Sequence, residues 1–202
     1  MTEALLIARD QLLASNGWEL AAAVLAVLYL ALVIRENIWC WYAAFVSTSI
    51  FLVIFWQVRL YMESGLQVFY LVMAVYGWWQ WKHGGGPGAS ALPITTWSWR
   101  QHLLTIAGIT LAALTTGWLL SGTDARLPYI DSFTTWASVV TTYMVARKVL
   151  ENWIYWFVID AVSIALYIDR GLYYTAILFA LYVVMVVFGG LAWYRTWTAQ
   201  TT

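Results

Sequence analysis

The chain is poor in the residues that build most kinds of site. Among its 202 residues there is one cysteine, Cys40, so it forms no internal disulfide and offers no cysteine cluster to a metal. Charged residues make up 10 % of the chain, against about a quarter in ordinary soluble domains. A disordered chain or a soluble nucleic-acid binder needs far more charge, and both are excluded. The histidines, His83 and His102, fall in one polar loop without ligand spacing, which argues against a membrane metalloenzyme. The lysines, Lys82 and Lys148, stand at the ends of apolar runs. No mid-membrane amine is therefore available for a retinal Schiff base, and photoreception is excluded. No G-x-S-x-G nucleophile motif is present, no ring of charge or carbonyl-rich filter marks an ion channel, and no cofactor is expected. The first sixteen residues hold Glu3 and Asp10 and lack a basic stretch followed by an apolar one. They read as a short amphipathic lead-in helix, not a cleaved signal peptide.

Apolar residues, by contrast, make up 63 % of the chain, which is roughly 127 of 202 positions. Seven membrane spans of roughly 18 residues need about 126. Runs between polar clusters fall at Trp18–Ile34, Ile38–Trp56, Leu66–Trp81, Leu103–Ser121, Ser132–Ala146, Trp153–Ile168 and Leu172–Trp193. In hydrocarbon such runs satisfy their backbone only as helices. The fifth run, SFTTWASVVTTYMVA, is rich in hydroxyls and suits a helix facing neighbours or a cavity. The longest break, KHGGGPGASALPITTWSWRQH, contains glycines and prolines that exclude a helix, and its Trp97 and Trp99 suit a membrane interface. Arg9, Arg59, Arg126 and Arg170 sort to one side; Arg35, Lys82, Arg100, Arg147, Lys148 and Arg195 sort to the other. The positive-inside rule makes the second side cytoplasmic, with the N-terminus outside and the C-terminus inside.

An internal repeat is also visible. Glu36-Asn37 followed by Trp41 recurs as Glu151-Asn152 followed by Trp156, at an offset of 115. Tyr70, Gly77 and Trp81 recur as Tyr182, Gly189 and Trp193, at an offset of 112. The expected plan is one all-α transmembrane domain over 1–202. Repeat one covers about 18–81, a connector helix about 103–121 and repeat two about 132–195. Three spans followed by one crossing restore the starting direction, so the repeats are parallel, a recurring plan of secondary transporters.

Candidate site residues lie on two helical stripes. Steps of three and four align Asn152, Trp156, Asp160, Ser163 and Tyr167, with Trp153 alongside. Asp160 is near mid-span, where a carboxylate costs on the order of 3 kcal/mol on insertion scales. It therefore faces a partner or a water-filled cavity; a structural hydrogen bond from a protonated Asp160 is the alternative. The second stripe is Gln67, Tyr70, Ala74, Gly77 and Trp81, which reads either as close helix packing or as a site wall. Through the repeat, Asn37 and Trp41 join the candidate set. Tryptophan is the most unusual residue, at 15 of 202. Trp18, Trp56, Trp97, Trp99, Trp193 and Trp197 are expected in the interfacial belt. Trp153 and Trp156, sharing a face with an amide and a carboxylate, suit a flat cationic ring through stacking and cation–π attraction.

The segments ENWIYWFVID (Glu151–Asp160) and LQVFYLVMAVYGWWQW (Leu66–Trp81), with the repeated Tyr, Gly, Trp ending, resemble the bacterial nicotinamide riboside transporter family of the PnuC type. The resemblance spans roughly Trp18 to Trp193. It implies a three-plus-one-plus-three helix plan similar to that of SWEET transporters, and a homotrimer with one pathway per protomer. It also implies a bacterial inner-membrane location and facilitated diffusion of an unphosphorylated vitamin, trapped afterwards by a cytoplasmic kinase. Similar family members carry thiamine or riboflavin, and some nicotinamide riboside carriers have Asn where this chain has Asp160. Nicotinamide riboside and thiamine are both aromatic cations that suit Asp160. From another class, a non-transporting membrane binding or assembly subunit would use the tryptophan-rich stripe for packing alone.

Overall fold

Long runs of aliphatic and aromatic residues leave the backbone few partners but itself, and the chain answers with helices. The computed structural model describes residues 2–14, 17–57, 61–86, 91–123 and 127–201. Its helices are α1 (Thr2–Ala14), α2 (Gly17–Ile34), α3 (Cys40–Gln57), α4 (Tyr61–His83), α5 (Trp99–Leu120), α6 (Pro128–Ala146), α7 (Asn152–Asp169) and α8 (Tyr173–Thr201). The seven apolar runs form the bodies of α2 to α8, and the lead-in is α1. The helices outrun the apolar stretches where polar residues cap them. Ser98 and Gln101 form a reciprocal capping box that starts α5 at Trp99. His102, expected in a loop, therefore sits in the first turn of α5, and His83 closes α4.

Among the described residues four helices, α2, α3, α5 and α8, are long and apolar enough to cross a membrane. Seven were expected. The three that fall short, α4, α6 and α7, carry the interior carboxyl, amide and hydroxyl groups, and these lower their mean hydropathy without shortening them. In α6, Ser132, Thr134, Thr141 and Thr142 are buried. Three of those hydroxyls donate to their own helix: Thr134 to Asp131 O (2.9 Å), Thr141 to Ala137 O (2.7 Å) and Thr142 to Ser138 O (2.7 Å). Satisfied in this way, they can face another helix at little cost.

Within each half the helices pack in chain order, α2 on α3 on α4 and α6 on α7 on α8, while α5 lies on α6. The halves meet where α2 packs on α8 and α4 on α6. Two reciprocal bonds fix the directions: Trp193 Nε1 donates to Val33 O (3.0 Å) and Trp81 Nε1 to Val145 O (3.2 Å). The C-terminal ends of α2, α4, α6 and α8 thus gather at one end of the bundle. Residues 91–98, the loop before α5, close over this end, with Leu92 and Ile94 buried. Thr95 donates to Lys148 O (3.0 Å) and accepts from Leu150 N–H (2.8 Å). The loop then pins α5 to α7. Glu151 accepts from Trp97 N–H (3.3 Å) and lies 3.8 Å from His102, whose Nδ1 is 2.9 Å from the Tyr155 hydroxyl. At the opposite end Asp131 pairs with Arg170 (3.1 Å), and Gln11 of α1 donates to Gly171 O (2.8 Å). Arg59 and Arg126, used in the charge count, lie outside the described residues.

The internal correspondence holds in one register, 112 residues throughout. Glu36 and Lys148, 112 apart, occupy the same left-handed position just past α2 and α6, at φ 52° and 50°. Val33 and Val145 accept the two reciprocal indole bonds. Gly77 packs against the Trp41 ring and Gly189 against the Trp153 ring, each so closely that a Cβ would overlap the indole. The 115 offset read from Glu36, Asn37 and Trp41 is therefore a coincidence of spelling. The counterpart of Trp41 is Trp153, and the positions matching Asn152, Trp156 and Asp160 are Cys40, Ala44 and Thr48.

Candidate substrate site

The site is built on α7. Helical spacing carries Asn152, Trp156, Asp160 and Ser163 up one side of it, and Asn152 (0 % exposed), Asp160 (4 %) and Ser163 (4 %) are buried there. Asn152 opens the helix and donates from Nδ2 to Val149 O (2.6 Å), while its Oδ1 is buried without a partner among the described residues. Asp160 lies two turns further in. It makes no hydrogen bond or ion pair among the described residues, although a carboxylate kept out of water ordinarily has one. Tyr167 of α7 and Tyr182 of α8 are near enough to feel its charge. From across the bundle, Tyr70 of α4 reaches the Ser138 hydroxyl of α6 and lies close to Tyr167. Gln67, one turn before Tyr70, is half-buried. A carboxylate with two tyrosines near it and an unpaired amide oxygen along the same helix can hold a cation while aromatic side chains cover an apolar ring.

The tryptophans divide differently from the expectation. Trp41, Trp81, Trp153 and Trp193 form a continuous buried cluster. The edge-to-face pairs Trp41–Trp81 (5.5 Å, 87°) and Trp153–Trp193 (5.3 Å, 87°) meet through Trp81–Trp193 (6.1 Å). Trp193, expected in the interfacial belt, is fully buried because its N–H is needed by Val33. Belt-like exposure is seen at Trp18, Trp56 and Trp99. Trp41 and Trp81 thus stand at the closed end with Trp153 in the same quartet; the Nε1 of Trp41 and of Trp153 are buried without partners among the described residues. Trp156 is half-buried and touches both apolar clusters. Asn37 stands apart: it is exposed, and its Oδ1 accepts from Trp39 N–H (3.0 Å) to shape the turn into α3.

Of the expected residues, Asn152, Trp156 and Asp160 share one side of α7, Tyr70 lies by Ser138 and Tyr167, Trp153 joins Trp41 and Trp81 in the buried quartet, Gln67 stands half-buried on α4, and Asn37 is exposed. The structure adds Ser138 and Tyr182. Tyr182 was legible as the repeat partner of Tyr70, whereas Ser138 had only the hydroxyl richness of its helix to mark it. A groove of about 430 Å³ between α5, α6 and α7 is lined by Ile109, Phe133, Ala137, Tyr155 and Ile159. It lies on the neighbouring face of α7, not the face that carries Asp160.

Comparison with known proteins gives a consistent picture. The sequence model of the family described as nicotinamide mononucleotide transporter matches residues 16–195. The riboflavin/roseoflavin transporter RibM of Streptomyces davaonensis is 24 % identical over 179 residues, covering 87 % of this chain and 84 % of the relative. The nicotinamide riboside transporter PnuC of Escherichia coli is 25 % identical over 181 residues, covering 77 % of this chain and 75 % of the relative. The crystal structure of the vitamin B3 transporter PnuC superposes with a TM-score of 0.71 at 21 % identity, covering 97 % of this chain and 90 % of the other. That similarity establishes the fold.

Proposed function

We propose, from the premise that the chain belongs to the nicotinamide mononucleotide transporter family, that its cargo is an unphosphorylated, positively charged aromatic vitamin. The protein is a multi-pass membrane transporter and not an enzyme. Nicotinamide riboside is the first candidate and thiamine the second cation. The observation that carries this reading is Asp160, buried and without a partner among the described residues. A cationic ring supplies what the carboxylate lacks. A phosphorylated ligand would bring negative charge towards it, and the buried cation nearby, Lys148, is already paired with Glu36 at 2.8 Å. The flavin named for RibM keeps a second reading open: a neutral ring held by the same aromatic walls, indifferent to the charge of Asp160.

The rest of the reading follows the family plan. Helices α2–α4 and α6–α8 are two parallel three-helix repeats and α5 is the connector, so that seven helices cross the bacterial inner membrane. The basic residues put the C-terminal ends of α2, α4, α6 and α8 in the cytoplasm and the N-terminus outside. Transport is facilitated diffusion, followed by trapping through a cytoplasmic kinase, and the protein works as a homotrimer. The repeat supports the parallel plan, because the reciprocal bonds Trp81 to Val145 and Trp193 to Val33 are the ones two parallel halves make. One variant tests the substrate class: Asp160→Asn keeps the size and one acceptor but removes the charge. Calorimetry on nicotinamide riboside, thiamine and riboflavin should show the two cations weakened by about 1–3 kcal/mol, the range for charge-assisted bonds, and riboflavin unaffected. A stable Asp160→Asn protein that binds both cations at full strength refutes the charge pairing.

A further inference from the structure

Helices α2 and α6 end in the same way. Past α2, Glu36 N–H bonds Val33 O and Asn37 N–H bonds Leu32 O, both at 2.9 Å; past α6, Lys148 N–H bonds Val145 O (3.0 Å) and Val149 N–H bonds Met144 O (2.9 Å). This is the Schellman pattern, whose left-handed residue is usually glycine. Here the two equivalent residues are Glu36 and Lys148, and they face each other across the junction of the halves with Nζ to Oε2 at 2.8 Å. Lys148 is 5 % exposed and Glu36 20 %, and the ammonium also lies 4.7 Å from the Trp81 ring centre. The two reciprocal indole bonds cross between the halves at the same level. The cap over this end belongs to one half: Lys148, Leu150 and Gln200 hold the loop through Thr95 and Ile94.

We propose that Glu36 and Lys148 are the latch of a gate that closes the transport pathway at this end, an assignment that rests on the transport reading above. The substrate carboxylate, Asp160, lies eight residues into α7 from Asn152, roughly 12 Å beyond the latch at 1.5 Å per residue. On this reading, access to Asp160 in this conformation is from the opposite end. A charged latch suits a gate. An apolar plug has to expose its surface to water on opening, whereas two parted ions regain the hydration they gave up on closing, so closed and open forms lie near each other in free energy. The loop, tied to the second half, moves with Lys148, and the parting line runs between it and the Glu36 turn.

The single cysteine supplies a reporter that needs no ligand. Cys40 is 0 % exposed, follows the Glu36 turn through a bond from its N–H to Asn37 O (3.0 Å), and is near enough to Lys148 to feel its charge. The experiment is the rate of maleimide labelling of Cys40 in the purified full-length protein, with the melting temperature measured alongside. Glu36→Gln and Lys148→Met should each label about tenfold faster than the unaltered chain, because a partly buried pair has lost one partner. The exchanged pair, Glu36→Lys with Lys148→Glu, should return to within about twofold, since the two turns have the same geometry. Asp131→Asn, which removes a partner of Arg170 at the far end, should leave the rate unchanged. Single variants that label at the unaltered rate overturn the latch. So does an exchanged pair that melts normally but labels as fast as the singles, or an equal acceleration by Asp131→Asn. Should a single variant fail to fold, the exchanged pair alone decides. None of these outcomes bears on cargo: failure of the unaltered protein to take up any vitamin would refute the transport reading and leave the labelling result standing.

Discussion

Gly189 offers a test of how α7 and α8 pack within the second half, because its surroundings can be worked through atom by atom. A Cβ built there lands inside contact distance of the Trp153 six-membered ring, on atoms Cη2, Cζ3 and Cε3. The ring has nowhere to retreat: its other side meets Trp193 edge-on at 5.3 Å, and Trp193 is held by its bond to Val33 O. Gly189→Ala should therefore cost about 1–3 kcal/mol, as overpacking in a filled core does, against the fraction of a kcal/mol that helix propensity returns. Gly108, on α5, is the control. Nothing lies within 4 Å of its Cβ position, so Gly108→Ala should stabilise by about 0.5–1 kcal/mol. The assay is thermal unfolding in one detergent for both variants and for Gly189→Ala combined with Trp153→Phe. Phenylalanine is smaller than indole and makes room for the methyl. The double variant should recover at least about 1 kcal/mol relative to the sum of the singles. A Gly189→Ala protein as stable as Gly108→Ala, or a pair whose effects simply add, would refute this account of the α7–α8 contact.

Other consequences can be checked separately. Trp156→Ala, which removes one stacking wall, should weaken vitamin affinity about tenfold or more in a protein that still inserts, measured by calorimetry; the range per stacked ring is about 1–3 kcal/mol. In liposomes lacking a kinase, vitamin should equilibrate and never accumulate above the outside concentration, so uptake driven uphill by an imposed pH or sodium difference would count against facilitated diffusion. A cytoplasm-dependent fluorescent reporter fused after Thr202 should be bright, and a dark fusion with intact insertion would reverse the topology.

Helix positions were legible because hydrocarbon leaves an apolar run of about 18 residues one economical structure, and the sequence states those runs plainly. The register of the repeat was only half legible. The Tyr70, Gly77, Trp81 spelling recurs at the true offset because each residue does the same packing work in both halves. The Glu36-Asn37 spelling recurs three residues off because Glu151 and Asn152 hold the loop and open α7, while the turn equivalent to Glu36 is filled by Lys148. Identity of letters misled where identity of backbone conformation did not, and a left-handed residue other than glycine leaves no mark in a sequence. The inward-facing position of Asp160 was legible from its cost alone. Asn37 and Trp193 were misplaced for a shared reason: whether an amide caps a turn and whether an indole finds a carbonyl depend on the partner across the bundle.

The duplicated halves share their locks but not their site, and the division has a physical logic. Residues that hold the scaffold together are kept in pairs: between the halves, Trp81 with Trp193 as donors and Val33 with Val145 as acceptors; within them, Trp41 with Trp153 against Gly77 and Gly189. Each indole bond ties one half to the other, so a change in one half leaves a buried donor or acceptor unmet in the other. Residues along the candidate site are under no such constraint. Asn152, Trp156, Asp160 and Ser163 stand opposite Cys40, Ala44, Thr48 and Phe51. One half carries the amide, the carboxylate and the broad ring, while the other offers small or apolar side chains in their place. A cargo with one charged aromatic face is asymmetric, and a strictly two-fold cavity would meet it with two carboxylates, one of them left without a counter-charge. On the proposed reading, Thr48 at the position matching Asp160, with no second carboxylate, is what lets a symmetric scaffold take a singly charged ring.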